Sequence, residues 1–179
     1  MTDQSKQYSP QDLIDFYLDS ARYGDTEDVR LALKENVAVN VAEEDGNNTA
    51  LHMASGNNHL DILQILLDAG ADVNAKNKED NSPLHWACLN GHVQAVLMLL
   101  KAGANPSALN GLGRTPVDEA LTKEHIEVLA AVNEFTGAPP IEDEQDDVEQ
   151  EGQDVEEEDI RIGEGDMSNL DGRGDLDEN

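Results

Sequence analysis

The feature that most constrains this chain is an internal sequence repeat, whose period is 33. Residues 49–54 read TALHMA, residues 82–87 read SPLHWA and residues 115–120 read TPVDEA. A second pattern keeps the same spacing, because GADVN at 70–74 becomes GANPS at 103–107. Since independent patterns share one period, the chain is expected to build one structural unit several times and to stack the copies.

Each copy opens with the residues of a helix start. Thr49, Ser82 and Thr115 carry hydroxyl groups that can cap the exposed backbone N–H groups of a first helical turn. Pro83 and Pro116 follow at the first helical position, where the missing N–H group costs nothing. The apolar residues that come next therefore predict a short first helix in every copy.

A second helix and a turn complete each copy. In the third copy the apolar residues between 93 and 102 predict a helix that packs between neighbouring repeats. Gly70 and Gly103 follow such helices, at a position that favours a left-handed backbone. The chain is then expected to project as a turn toward the next copy, over residues 71–81 for example.

These patterns resemble the ankyrin-repeat family, whose signature is T-P-L-H-x-A followed by G-H and G-A-D-V-N and whose period is the same. The resemblance covers about residues 11–136 and is most specific in the second and third copies. It implies an all-α solenoid of four helix-turn-helix repeats. Residues 1–10 are then an N-terminal extension, and residues 137–179 are a separate tail.

The first copy keeps the period only in part. Its V-N pair stands at 39–40 and the next such pair at 73–74, which is a step of 34 instead of 33. It therefore carries one residue fewer after its second helix, or one more before the next copy. When the strict period is applied, Leu18-Asp19 matches the Leu-His pair, Ala21 matches Ala54, and Leu33 matches Leu66.

Polar residues in the first and fourth copies identify both as caps, because an end repeat has one face in water. The first helix carries three aspartates among its apolar residues. The fourth copy has Asp118 where the central copies have histidine, followed by Glu119. We therefore expect two central consensus repeats between two degenerate caps.

The charge of the chain is strongly negative and uneven. The formal net charge is −28, and residues 141–179 hold 18 acidic and 2 basic residues. Such a chain repels phosphates, which argues against direct binding of nucleic acid or of an anionic membrane and favours a basic protein partner. Residues 137–179 have no aromatic residue, so they are predicted to be a disordered acidic tail. This tail either screens a basic partner or serves solubility alone.

The sequence predicts a cytoplasmic protein and leaves nuclear entry open. Cys88 is the single cysteine, so no intramolecular disulfide can form. The stretch 1–11 is polar, unlike a signal peptide, and no apolar run approaches the roughly 20 residues that span a membrane. Without a secretion signal, the integrin-binding tripeptide R-G-D at 173–175 is not expected to act as one. A monomer is expected, since no apolar stripe lies beyond the repeats.

Catalytic and metal-binding chemistry is not expected. One cysteine among repeated histidines supplies no converging set of metal ligands, and neither a G-x-S-x-G pattern nor a phosphate-binding loop is present. No enzyme, metal or cofactor is therefore predicted. The histidines are instead predicted to bond backbone groups and tie repeats together, because all five occupy repeat positions. They are His52, His59, His85, His92 and His125.

The ankyrin resemblance implies a concave surface that binds a protein partner. Turn tips and the exposed sides of the first helices would form this surface, and its positions can be transferred one by one. The predicted partner-binding residues are Tyr23, Asp45, Asn48, Asn57, Lys78, Glu79, Asn81, Trp86, Leu89, Asn90, Leu112, Arg114 and Lys123.

Trp86, the single tryptophan, borders this surface. Tryptophan is enriched at binding hot spots, where its truncation typically costs about 2 kcal/mol or more. Leu89, one helical turn further on, would extend an apolar patch beside it. The alternative is that Trp86 only fills space between repeats, and the sequence leaves both interpretations open.

A narrower resemblance suggests a partner. Four repeats with the runs ALHMAS and LHWACLNG, followed by an acidic tail, look like the ankyrin-repeat chaperones dedicated to the KH-domain ribosomal protein of the small subunit. This resemblance implies that the repeats hold a basic ribosomal protein and keep it soluble until assembly. The alternatives are a small regulator or scaffold that binds a signalling enzyme or transcription factor, and an escort of another basic protein such as a histone.

Overall fold

The computed structural model describes residues 9–137, and within this range the chain is all-helical. The one strand-like contact there is an isolated bridge between Ala42 and Thr49. The predicted acidic tail beyond Gly137 and the stretch 1–8 lie outside the described residues. In the described range the helices are α1 (Pro10–Tyr23), α2 (Thr26–Lys34), α3 (Ala50–Gly56), α4 (Leu60–Asp68), α5 (Pro83–Leu89), α6 (Val93–Lys101), α7 (Pro116–Thr122) and α8 (Ile126–Thr136).

The helices form two layers. In the first layer α1, α3, α5 and α7 stack in chain order, and in the second α2, α4, α6 and α8 do the same. Each first-layer helix also packs against the second-layer helix that follows it. The predicted all-α solenoid of four helix-turn-helix repeats is therefore confirmed.

The core lies between repeats as well as within them. Leu51 and Leu84 hold the same position in α3 and α5 and are almost fully buried, as are Leu63 and Leu99 in the second layer. Burying one such side chain contributes about 1.5–3 kcal/mol. Because neighbouring repeats cover these side chains, the stability belongs to the stack and not to a single helix pair.

The first helices of repeats two to four begin where the sequence predicts. Thr49, Ser82 and Thr115 are the N-cap residues of α3, α5 and α7, and Pro83 and Pro116 are the first residues of α5 and α7. In α3 and α5 the third helical residue is a histidine, whose Nδ1 atom accepts the N–H group of the N-cap residue at 3.2 and 3.0 Å. These contacts satisfy donors that a helix start leaves without intrahelical partners.

The histidines tie neighbouring repeats together, as predicted. In each one the Nε2 atom lies 2.9–3.1 Å from a backbone carbonyl oxygen of another repeat, so this nitrogen must carry the proton and donate. Burial lowers the pKa of two of them, His52 and His85, and so favours the neutral ring. The pairs are His52 with Asn81, His59 with Arg22, His85 with Arg114, His92 with Gly56, and His125 with Leu89.

The second-layer helices of the central repeats also end as predicted. α4 and α6 stop just before Gly70 and Gly103, whose φ angles are 84° and 92°. Glycine adopts this left-handed backbone without the strain that a Cβ atom would cause. The chain can therefore leave each helix sharply and run toward the next turn.

The first repeat matches the second at a spacing of 34, which corrects the alignment made at 33. The backbone N–H group of Val37 donates to the carbonyl oxygen of Ala32. In the next repeat Ala71 donates to Leu66 in the same way. Ala32 is therefore the counterpart of Leu66, and the match with Leu33 is wrong.

A hydrogen bond at the end of α1 gives the same result. The N–H group of Asp25 donates to the carbonyl oxygen of Ser20, as His59 does to Ala54 in the next repeat. Ser20 thus takes the place of Ala54, and the match with Ala21 is wrong. The V-N step of 34 indicated an extra residue, but only the paired backbone groups show that it comes after these positions.

The Leu-His pair of the second repeat then corresponds to Tyr17-Leu18 and not to Leu18-Asp19. Tyr17 is fully buried, and its hydroxyl donates to the carbonyl oxygen of Val39 at 3.1 Å. It thereby fixes α1 against the segment that leads to the first turn. Because both Tyr17 and Leu18 are apolar enough to be buried, the pattern of apolar residues fits either spacing.

The extra residue lies in the first turn. There the N–H group of Glu43 donates to the carbonyl oxygen of Asn48, and in the next turn Asn77 donates to Asn81. The first turn is thus one residue longer than the second. Of the two alternatives, one additional residue before the second copy is the correct one.

Candidate protein-binding groove

Three turns project beside one another from the stack. The N–H group of Lys78 donates to the carbonyl oxygen of Gly46 at 2.9 Å, and that of Gly111 donates to Glu79 at 2.8 Å. Because backbone hydrogen bonds hold neighbouring turns together, a partner meets a largely preformed surface. We name them turn 1 (residues 43–48), turn 2 (residues 77–81) and turn 3 (residues 110–114).

Two buried asparagines order turn 2 and turn 3. The side-chain oxygen of Asn77 accepts from two backbone N–H groups of its own turn, at 3.0 and 2.9 Å, and Asn110 does the same at 3.0 Å. Their side-chain amides reach the preceding turn, where Asn77 donates to Asn48 and Asn110 to Asn81, both at 2.9 Å. Sequence analysis missed this pair, although its recurrence at the repeat period was a signal.

Asn48 is predicted to project from a turn tip, but the structure places it inside turn 1. Its residue surface is only 8% exposed, and its side chain accepts from Asn77 and donates to Glu43. The physical reason is that a buried amide left without partners costs about 1–3 kcal/mol, so Asn48 is held inside the turn. Its side chain orders turn 1 and does not project toward a partner.

An open pocket of about 490 Å³ lies where turn 2 and turn 3 meet α5 and α7. This volume falls within the range of roughly 300–1,000 Å³ typical of ligand pockets. The fold brings six of the predicted residues together there, beside His85, Asn110, Gly111 and Glu119. The six are Glu79, Asn81, Trp86, Leu89, Leu112 and Arg114.

Trp86 connects two repeats and also lines this pocket. Its ring lies on Gly56 of the preceding repeat, where an added Cβ atom would come within 2.7 Å of the ring. The ring centroid is 6.0 Å from that of His52, in an edge-to-face arrangement. Since Trp86 is only partly buried, it fills space between repeats and still presents surface to the pocket.

The two carboxylates of the pocket differ in their surroundings. Glu119 is nearly buried, accepts from the side-chain amide of Asn110 at 2.9 Å and lies 3.7 Å from the guanidinium of Arg114. Glu79 is exposed on turn 2 and accepts one hydrogen bond, from Asn77 at 3.2 Å. Among residues 9–137 no ion pair involves Glu79. One carboxylate is thus paired with a cation, and the other faces solvent at the pocket edge.

The predicted residues nearest the N-terminal end lie outside the pocket. Tyr23 ends α1 and is 71% exposed, and Asp45 is exposed on turn 1. Beside Tyr23, Arg22 pairs with Asp19 at 3.3 Å and with Glu43 at 2.9 Å. At this end of the surface the guanidinium of Arg22 is therefore already paired within the protein.

Four further predicted residues are placed outside the pocket. Asn57 and Asn90 follow α3 and α5, and each side-chain amide donates to the carbonyl oxygen one helical turn earlier, at 2.9 Å. Lys123 follows α7. The ammonium group of Lys78 donates to the carbonyl oxygen of Glu44 in turn 1, at 2.6 Å. Several side-chain donors of this surface thus already form hydrogen bonds within the protein.

The described residues show no cluster suited to a metal ion, and their single cysteine is buried. Residues 9–137 contain no cluster of three or more histidine, cysteine, aspartate or glutamate side chains that could hold a metal. Cys88 is fully buried, and burial raises the pKa of its thiol to about 12, so it stays protonated at neutral pH. None of the described helices is both long and apolar enough to cross a membrane.

The comparisons with known proteins agree with this geometry. A family model for ankyrin repeats (3 copies) matches residues 18–110 and residues 76–134, which together cover more than half of the chain. XBOS33, a probable E3 ubiquitin-protein ligase of Oryza sativa subsp. japonica, is 41% identical over 59 residues, or 32% of this chain. The matched segment spans only 11% of that protein.

These matches do not show the narrower resemblance to the ribosomal chaperones, which stays a prediction. What the repeats share is a stack of helix pairs with projecting turns, which presents a surface for another protein. The chain belongs to the ankyrin-repeat family and is a protein-binding module.

Proposed function

We propose that this protein is a dedicated chaperone that binds a basic ribosomal protein and keeps it soluble before ribosome assembly, in the cytoplasm and the nucleus. The observation that carries the proposal is a pocket with Trp86, Leu89 and Leu112 in its lining, on a chain whose formal net charge is −28. A ribosomal protein without RNA exposes Arg and Lys surfaces. An acidic partner can cover these surfaces and compete with non-specific binding to RNA.

The pocket and the acidic segment 141–179 have different roles in this proposal. Trp86, Leu89 and Leu112 give specificity, because hot spots form where apolar anchors are desolvated. Residues 141–179 carry 18 acidic and 2 basic residues and attract a basic partner from a distance. Such attraction raises the association rate and weakens as salt screens it.

Affinity purification with the full chain as bait tests the partner. We expect a small-subunit ribosomal protein in stoichiometric amount from a soluble, ribosome-free fraction, identified by mass spectrometry. Recovery of a histone would instead indicate an escort of another basic protein. Recovery of a signalling enzyme or transcription factor would indicate a regulator. Either result overturns the ribosomal assignment.

A matched pair of substitutions tests the pocket in the same experiment. Leu112→Ser removes an apolar side chain that is 76% exposed and lines the pocket, so the fold should tolerate it. Leu31→Ser makes the same change on an exposed residue of α2, outside the pocket. We expect Leu112→Ser to reduce recovery of the partner and Leu31→Ser to leave it unchanged. Equal recovery with both variants would place binding elsewhere.

A chain that ends at Thr136 tests the acidic segment. We expect the recovered partner to associate at least about tenfold more slowly at low salt, because long-range attraction can raise association rates by orders of magnitude. The salt dependence of the rate should largely disappear. Stopped-flow measurements on both chains decide this, and an unchanged rate and salt slope would limit the segment to solubility.

A further inference from the structure

We infer that the pocket recognises two adjacent side chains of the partner, an apolar one against Trp86, Leu89 and Leu112 and a basic one at Glu79. This inference rests on the proposed function, because it assumes that the pocket is where a basic partner is held. It adds the chemical class of the recognised element, which is an aliphatic side chain next to an arginine or lysine.

Glu79 is held in a position to bind a cation. Its N–H group donates to the side chain of Asn77 at 3.0 Å, and its carbonyl oxygen accepts from Gly111 at 2.8 Å. The backbone is therefore anchored on both sides while the side chain is exposed at the pocket edge. A group on a fixed backbone loses less conformational entropy on binding than one on a mobile loop.

The other side of the pocket disfavours a second cation. Glu119 already lies beside the guanidinium of Arg114 and accepts from Asn110. Arg114 is itself exposed and lines the pocket, so it repels an incoming positive charge. Charge complementarity thus directs a basic side chain to Glu79 and leaves the leucines for the apolar one.

Trp86 suits both parts of such a pair. It lines the same pocket as Glu79 and keeps part of its ring accessible. An indole ring buries aliphatic groups well, and its face also attracts guanidinium and ammonium groups. The pocket volume of about 490 Å³ leaves room for more than one side chain.

Turn 2 supplies a matched control for the charge. Asp80 follows Glu79 directly, is exposed, does not line the pocket and lies 3.9 Å from the ammonium group of Lys76. Its φ angle is 60°, which asparagine tolerates as well as aspartate does. Asp80→Asn and Glu79→Gln therefore remove the same charge from the same turn, and only the second changes the pocket.

The test is an NMR titration of the full chain with two dipeptide probes, followed at the indole N–H signal of the single tryptophan. One probe is N-acetyl-leucyl-arginine amide, and the other replaces arginine by citrulline, which is uncharged and of similar shape. We expect the arginine probe to bind on the order of threefold more tightly at low salt, as for an exposed ion pair. Glu79→Gln should abolish this ratio, and Asp80→Asn should preserve it.

The outcomes separate the inference from the proposed function. If both probes bind equally, or if both variants lower the ratio alike, the recognition by Glu79 is wrong while the pocket still holds an apolar anchor. If neither probe shifts the indole signal up to its solubility limit, the pocket is not an anchor site. The inference then fails together with the groove-based specificity, and the affinity purification still decides the partner independently.

Discussion

The central repeats and the fourth repeat start their first helices with related contacts, and the difference shows what the histidines add. In α5, His85 accepts the N–H group of Ser82 through Nδ1 and donates from Nε2 to Arg114 in turn 3. In α7, Asp118 accepts the N–H group of Thr115 at 2.8 Å. Within residues 9–137 its side chain makes no hydrogen bond to another repeat. The central residue therefore caps a helix and joins two repeats, whereas the terminal one only caps.

The largest expected contrast concerns the core at the same two helices. Leu84 of α5 is 1% exposed between neighbouring repeats, while Val117 of α7 holds the same position and is only partly buried. Leu84→Ala should lower the free energy of unfolding by about 3 kcal/mol, because buried Leu→Ala changes cost about 2–5 kcal/mol. Val117→Ala should cost about 1 kcal/mol, since less surface is buried there. Urea unfolding followed by circular dichroism measures both, and equal losses would show that the terminal repeat is packed like a central one.

The next contrast tests the two kinds of cap. His85→Ala should cost about 2 kcal/mol, because it leaves the buried N–H group of Ser82 and the carbonyl group of Arg114 without this partner. Asp118→Ala should cost about 1 kcal/mol, because it removes the acceptor for the N–H group of the N-cap residue Thr115. Thermal unfolding of both variants against the unchanged chain gives the two values. A loss for Asp118→Ala as large as that for His85→Ala would contradict the double role of the histidine.

The smallest effect is the response to pH. Burial lowers the pKa of His52 and His85, so below their ordinary value of 6.5 the unfolded chain takes up protons that the folded chain resists. The free energy of unfolding should therefore decrease as pH falls through that value, until the lowered pKa of the folded state is passed. Asp118 is different, because hydrogen bonds from Thr115 lower the pKa of its carboxyl below 3.8. Its contribution is lost only at more acidic pH.

Urea unfolding midpoints at about pH 7.5 and about pH 5.5 test whether the free energy of unfolding decreases on acidification. His85→Asn should be less stable than the unchanged chain at the higher pH. The difference between their free energies of unfolding should become smaller at the lower pH. Asp118→Asn should keep a constant gap across the same interval. A gap that widens for His85→Asn on acidification would mean that the folded chain binds the proton more readily than the unfolded one.

The sequence by itself determined the architecture. The recurrence of TALHMA as SPLHWA set the period, the hydroxyl and proline residues marked the helix starts, and Gly70 and Gly103 marked the helix ends. The role of the histidines followed from their positions in the repeat. These features are predictable because capping, left-handed backbone and apolar stripes depend on residues a few places apart.

Only the tertiary structure decided which side chains of the surface remain available. Asn48 and Glu79 both lie on turns in the sequence, yet Asn48 is buried in an amide network and Glu79 is exposed at a pocket edge. Glu79 and Glu119 are the same residue type, but the carboxylate of Glu119 lies beside the guanidinium of Arg114. The register of the first repeat was likewise hidden, because Tyr17 and Leu18 fit the apolar pattern equally. The physical reason is that the contacts between repeats join residues 29 to 37 positions apart, which local patterns do not contain.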